Sequence, residues 1–277
     1  MKNLLMCAAV AATAGAAFGS NVTVFSNNAG GDAFTNAGPT NTGQAVGSSG
    51  WHYNNVRNSG MVGIAGNYAR NGNGSMYFNG VSGGSKADVE YFGSAAANGN
   101  GNFNPTSALG RLADLTALSY DWYRDSASTN PANQTPVIRL LLSNANASQF
   151  GYIVFEEVYN AGNFATDQWN SVDVLGTNSR MWATGTLPNV GLSEYDNQYR
   201  IDNWMTNFGD LFVVGVSLGV GSGWNGLFFG AVDNVTFGFN GSNTTYNFEV
   251  GGTVIPTPLA GLMGGAGLML VGARRRR

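Results

Sequence analysis

Runs rich in Val, Ile, Thr, Phe, Tyr and Trp recur along most of the chain, and clusters of Gly, Asn and Ser separate them. They fall at 22–25, 61–65, 75–78, 87–92, 118–123, 137–143, 152–156, 170–174, 211–218, 228–239 and 245–250. β-Branched and aromatic side chains suit a pleated, half-buried surface, and Gly and Asn suit turns, so each run reads as a strand. Leu118-Ser119-Tyr120-Asp121-Trp122 alternates, and so does Val232-Asp233-Asn234-Val235-Thr236-Phe237; both read as strands with one buried and one wet face. Residues 137–142 are apolar apart from Arg139, as expected of a strand covered on both sides. Helical signals are weak. Leu109, Leu112 and Leu115 have helical spacing within 105–115, but Gly110 interrupts them, and 202–210 allows one or two turns. No repeat of fixed period and no internal linker is visible, which disfavours a β-solenoid. The expectation is an all-β body: a single antiparallel β-sandwich of jelly-roll or concanavalin A-like type.

Both ends stand apart from this pattern. Lys2 precedes an apolar run over 4–17, and Ala17-Phe18-Gly19 is a small-x-small cleavage site. Residues 1–19 therefore read as a secretory signal peptide for signal peptidase, with the mature chain starting near Ser20. The lone cysteine, Cys7, lies inside that segment. The body then has no thiol, which excludes disulfides, thiolate metal sites and cysteine nucleophiles. Eight of the 13 basic residues lie between the ends, against all 16 acidic ones, so the body carries a formal charge of −8. No basic phosphate-tracking surface is available, and nucleic acid is not an expected partner.

Few motifs carry chemistry. Gly80-Val81-Ser82-Gly83-Gly84 and Gly215-Val216-Ser217-Leu218-Gly219 match the nucleophile-elbow pattern, yet the only histidine, His52, precedes both and neither leads into a helix. Among 41 glycines such matches arise by chance, and a serine hydrolase is not supported. His52 alone cannot build a histidine metal site and reads as a sandwich-edge residue. Adjacent Glu156 and Glu157 point to opposite faces of a strand, and Glu194 and Asp196 sit in a turn-like stretch, so no paired carboxylates for glycoside hydrolysis are apparent. Of the six tryptophans, at least half are expected in the core. Trp224, in a Gly-rich loop, is the expected ligand-contacting ring.

The end of the chain is more specific. Pro256-Thr257-Pro258 is followed by an apolar segment, 259–273, and then by Arg274, Arg275, Arg276 and Arg277. As a helix the segment would rise about 22 Å, short of the roughly 30 Å hydrocarbon core, a gap that Val254–Pro258 and snorkelling arginines nearly close. The order of proline motif, membrane helix and basic cluster resembles the PEP-CTERM sorting signal of exported bacterial proteins, with Thr257 where that motif has glutamate. The resemblance implies recognition by an exosortase-like enzyme, transient membrane anchoring through the 259–273 helix, and delivery to the cell envelope, surface or extracellular matrix.

A second resemblance is shorter. Gly230-Ala231-Val232-Asp233-Asn234-Val235-Thr236-Phe237-Gly238, followed by Tyr246-Asn247-Phe248-Glu249, is similar to the last strands of jelly-roll carbohydrate-binding modules. It implies a structural calcium held by Asp233; calcium takes six to eight oxygens, and Glu249 or backbone carbonyls of the early strands are the further donors. The whole reads as a signal peptide (1–19), a sandwich (20–252) and a sorting tail (253–277) on an exported, non-enzymatic protein that binds surface polysaccharide. A glycan-active hydrolase and a purely structural surface component are the alternatives. Two acidic groups across one sheet face would favour the hydrolase, and an exposed aromatic row would favour binding.

Overall fold

The computed structural model describes residues 18–36, 43–80, 84–92, 108–160, 162, 164–187, 199–221, 223 and 226–251. The predicted tail, with Pro256, Pro258 and Arg274 to Arg277, lies outside them, as do residues 1–17, Trp224, Glu194 and Asp196. Among the described residues, alternating apolar positions give strands that assemble into two sheets. One sheet has seven strands: β1 (Phe18–Phe25), β4 (Met61–Ala65), β5 (Ser75–Gly80), β8 (Leu115–Arg124), β11 (Trp169–Asp173), β14 (Phe228–Phe239) and β15 (Ser242–Glu249). The other has eight: β2 (Gln44–Ala45), β3 (Trp51–Arg57), β6 (Lys86–Phe92), β7 (Gly110–Arg111), β9 (Val137–Ser143), β10 (Phe150–Phe155), β12 (Trp182–Ala183) and β13 (Phe212–Val220). A short helix, α1 (Ile201–Asn207), precedes β13.

The sheets stack face to face over one core drawn from nearly the whole described span, Val24 to Phe248. Trp51 of the eight-stranded sheet sits at its centre. Its ring centroid lies 5.2 Å from that of Phe248, 5.4 Å from that of Tyr246 and 6.3 Å from that of Phe237, all on the opposing sheet and all edge-on. Trp51, Trp122 and Trp204 are fully buried, the core role expected of half the tryptophans. Strand β9 is buried at every residue, as its composition predicts.

Two local expectations are corrected. The 105–115 stretch is not helical where described: it holds β7, one 3₁₀ turn at Leu112–Asp114 and the start of β8. Leu112 and Leu115 reach the core from that turn and from the strand, so their spacing reflects no helix. The sheets are not wholly antiparallel, because β1 runs parallel to β15 and covers the edge that the β14–β15 hairpin leaves open. Strand β1 also begins at Phe18, so the predicted cleavage after Gly19 falls inside it; Val24, its buried anchor, remains.

Candidate functional site

Strand alternation builds a polar site on the outer face of the eight-stranded sheet. In β6, Ala87 and Val89 enter the core, which turns Lys86, Asp88 and Glu90 to the opposite face. Neighbouring strands contribute His52 and Asn54 from β3, Ser217 from β13, Arg139 from β9, Tyr152 from β10 and Trp182 from β12. Although they face away from the core, Asp88 and Glu90 are only 1% and 2% exposed.

Such charges persist only when paired. Asp88 accepts hydrogen bonds from Arg139 Nη1 at 3.0 Å and Asn55 Nδ2 at 2.8 Å, and Lys86 Nζ lies 2.8 Å from its Oδ2. Arg139 also donates to Ser217 Oγ at 3.2 Å. A Cβ at position 219 would lie 1.9 Å from Asp88 Oδ1, so only glycine lets β13 pass the carboxylate. Glu90 accepts from Tyr152 Oη at 2.9 Å and from Asn54 Nδ2 at 2.5 Å. Burial, with the neighbouring Asp88 charge, raises the Glu90 carboxyl above the usual carboxylate range. Burial also opposes ionisation of Asp88, but Arg139 and Lys86 outweigh it and hold that carboxyl below its usual range. Lys86 is lowered, chiefly by burial.

Above this network lies a cleft of about 350 Å³, lined by Asn55, Lys86, Asp88, Arg139, Tyr152, Glu156 and Trp182 among others. Planar amide, carboxylate and guanidinium groups beside two aromatic rings suit a polyhydroxylated ligand, whose hydroxyls pair with the former and whose C–H faces stack on the latter.

Asp233, predicted on the alternating wet face, is fully buried instead. One edge of β14 is split between two partners, β5 up to Val232 and β15 from Val235. At the junction Asn234 bulges with φ +50°, and Asp233 Oδ1 accepts the orphaned backbone N–H groups of Asn234 and Phe248 at 2.8 and 3.0 Å. Among the described residues its buried Oδ2 has no hydrogen-bond partner; neither have Asn247 Oδ1 and Ser75 Oγ. Burial, with the charges of Glu249 and Asp121 adding to it, pushes the Asp233 carboxyl up to about 7. Glu249 is already engaged, accepting from the Asn73 backbone N–H at 2.6 Å and from Asn247 Nδ2 at 2.7 Å. Among the described residues no three Asp, Glu or His side chains gather as a metal cluster. Asp233 Oδ2 is nevertheless a hard oxygen donor of the kind calcium takes, whereas both Glu249 oxygens are already engaged.

Other predicted positions resolve plainly. His52 lies on the outer face of β3, one strand in from the edge, with Nδ1 3.0 Å from the Gly50 carbonyl and its ring beside Phe92. Glu156 follows the end of β10 and lines the cleft, while Glu157 starts a 3₁₀ turn and is buried.

No family model and no curated protein matches this chain. Among solved structures it is similar to a family 11 carbohydrate-binding module from Clostridium thermocellum, with a TM-score of 0.38 and 9% identity over 78% of this chain and 100% of that one. A metagenome-derived glycoside hydrolase family 12 endoglucanase gives a TM-score of 0.36 and 12% identity, covering 75% of this chain and 98% of its own. A non-crystalline cellulose-specific module, CBM28, gives 0.33 and 11%, covering 78% and 98%. These likenesses identify no family for the chain.

Proposed function

We propose that the chain is an exported envelope or matrix protein whose sandwich, of jelly-roll type, binds glycan without turning it over. The observation that carries the reading is the outer face of the eight-stranded sheet, where the buried Asp88–Arg139–Lys86 network underlies a cleft flanked by Tyr152 and Trp182. A sheet face that served only to meet solvent has no use for three charged groups held almost out of water, whereas a preorganised set of donors and acceptors lowers the cost of binding sugar hydroxyls. Export rests on residues 1–19 and the Pro256-to-Arg277 tail, which we assign to signal peptidase, an exosortase-like enzyme and a transient membrane helix. A structural calcium on Asp233 would supply charge for its unpartnered oxygen and pin the junction in β14.

Hydrolysis is the second reading, because Asp88 and Glu90 share one sheet face and their environments push their carboxyls in opposite directions. They sit two residues apart on one strand, however, and do not flank the cleft. Asp88 is spent on Arg139, Lys86 and Asn55, and Glu90 on Tyr152 and Asn54. A glycan array probed with the full chain, with a reducing-end assay on every hit, tests both readings. Binding without turnover is expected. Trp182→Ala should weaken it about tenfold or more with the melting temperature unchanged, as loss of a central aromatic contact does. Absence of any bound glycan overturns the proposal, and turnover replaces it with the second reading.

A further inference from the structure

At the end of this cleft a bulge in β3 brings Asn55 against two members of the network on which the glycan reading rests, Lys86 and Asp88. Asn54 pairs with Asp88 and Arg57 with Lys86, so Asn55 and Val56 share the span opposite Ala87 alone. Val56 enters the core, and Asn55, at φ +49°, turns its carboxamide to the Asp88 side of the sheet. Asp88 Oδ2 thereby receives two nitrogens, Lys86 Nζ at 2.8 Å and Asn55 Nδ2 at 2.8 Å. The carbonyl end of the same carboxamide, Asn55 Oδ1, accepts from Arg57 Nη1.

We propose that Lys86 and Asn55 are joined by an intramolecular isopeptide bond, formed by the protein itself. Lys86 is the nucleophile, Asn55 Cγ the electrophile, Asp88 the proton carrier and Arg57 the oxyanion donor. In its amine form Lys86 Nζ attacks Cγ, and one Nζ proton passes to Asp88 Oδ2 as the new C–N bond forms. The guanidinium of Arg57 holds the charge that builds on Oδ1. Asp88 then returns the proton to Nδ2, the Cγ–Nδ2 bond breaks, and ammonia leaves. Asp88 ends as it began, and no oxidant or other reactant enters.

Two further observations favour this pairing. Lys86 is held in place with only 12% of its side chain exposed, and its burial next to Arg139 favours the amine form that attack requires. Both reacting residues also share one anchoring oxygen, which replaces a chance encounter by a held one. Asp88 itself is the poorer electrophile, since the Arg139 guanidinium keeps it ionised. The link would fasten β3 to β6 under the cleft and remove the Lys86 charge.

Peptide mapping of the folded full chain tests the inference without any glycan. Trypsin should fail to cut after Lys86 and should release one branched peptide carrying residues 55 and 86, lighter than its two linear parts by one ammonia. Lys86→Arg keeps the charge but cannot attack and should give linear peptides only; Asn55→Ala should do the same. Asp88→Asn should abolish the link in protein that retains its circular dichroism. A linear peptide ending at Lys86, with Asn55 intact after prolonged incubation of the folded wild type, overturns the proposal. So does Asn55 converted to aspartate with no branch, because water would then have outcompeted the lysine. An undiminished link in Asp88→Asn refutes the proton-carrier role.

Discussion

Replacing Trp51 with alanine tests the face-to-face packing most directly. The ring is fully buried and is met edge-on by Phe237, Tyr246 and Phe248 of the opposing sheet and by Tyr91 of its own. Aromatic-to-alanine changes in a core cost about 3–5 kcal/mol, and the four ring contacts place this one at the upper end. A domain of this size loses about 2–4 °C for each kcal/mol, so the melting temperature should fall by roughly 10–20 °C. The protein should still fold, because total stability is about 5–15 kcal/mol. Trp51→Phe should behave differently. Trp51 Nε1 is buried without a hydrogen-bond partner among the described residues, and removing such a group recovers about 1–3 kcal/mol, which offsets most of the lost packing. Phe25→Ala, at a ring 54% exposed on β1, is the control and should stay within about 0.5 kcal/mol. Thermal and urea melts followed by near-ultraviolet circular dichroism measure all three. A shift below about 3 °C for Trp51→Ala, on the same scale, would show that the ring does not bridge the sheets.

Glu90 should make the protein less stable as pH rises. Its folded carboxyl titrates above the unfolded one, so its full contribution is present below the ordinary glutamate range and is lost as pH climbs from there through the raised value. Glu90→Gln should flatten that loss in melts run from acid to mildly alkaline pH. Because Asn54 Oδ1 has no partner among the described residues, the amide of Asn54 can turn to accept from the new glutamine. An unchanged pH profile would show that Glu90 is not buried as described. Chelator should lower the melting temperature of wild type and leave Asp233→Ala unaffected; identical wild-type melts with and without chelator reject the calcium assignment. A chain ending at Leu227 should be insoluble, because β14 is paired along one edge with β8 and along the other with β5 and β15, whereas a chain ending at Gly252 should melt like the parent. Soluble, cooperatively melting protein from the shorter chain would make β14 and β15 an accessory unit.

Much of the architecture was legible in local pattern. β4, β9 and β14 have the bounds that composition predicts, because apolar and β-branched runs and the turn residues that end them are both written along the chain. β3 was not legible. Trp51 and Tyr53 point inward in alternation, but the bulge at Asn55 shifts the next inward residue to Val56, and the asparagines dilute the β signal. Half of the site was legible in the pattern, although the carboxylate pairs weighed from the sequence did not include it. Asp88 and Glu90 stand at alternate positions of a predicted strand, opposite Ala87, Val89 and Tyr91, which already places both carboxyls on one outer face. Their partners were not visible, since Asn54, Arg139 and Tyr152 come from segments separated by tens of residues.

Taken alone, the sequence determined that the body is built of strands, that it holds no cysteine and a formal charge of −8, and what the chemistry of its two ends resembles. Those are properties of composition and short-range order, and they need no knowledge of which strand lies beside which. Tertiary structure decided the rest: that β1 closes the sheet in parallel, that Asp233 is walled in at the point where β14 changes partners, and that Asp88 collects Arg139, Lys86 and Asn55. The physical reason is that strand pairing across long stretches of chain sets these neighbours. A carboxylate's burial, protonation and reactivity depend on groups within a few ångströms, wherever in the sequence those groups lie.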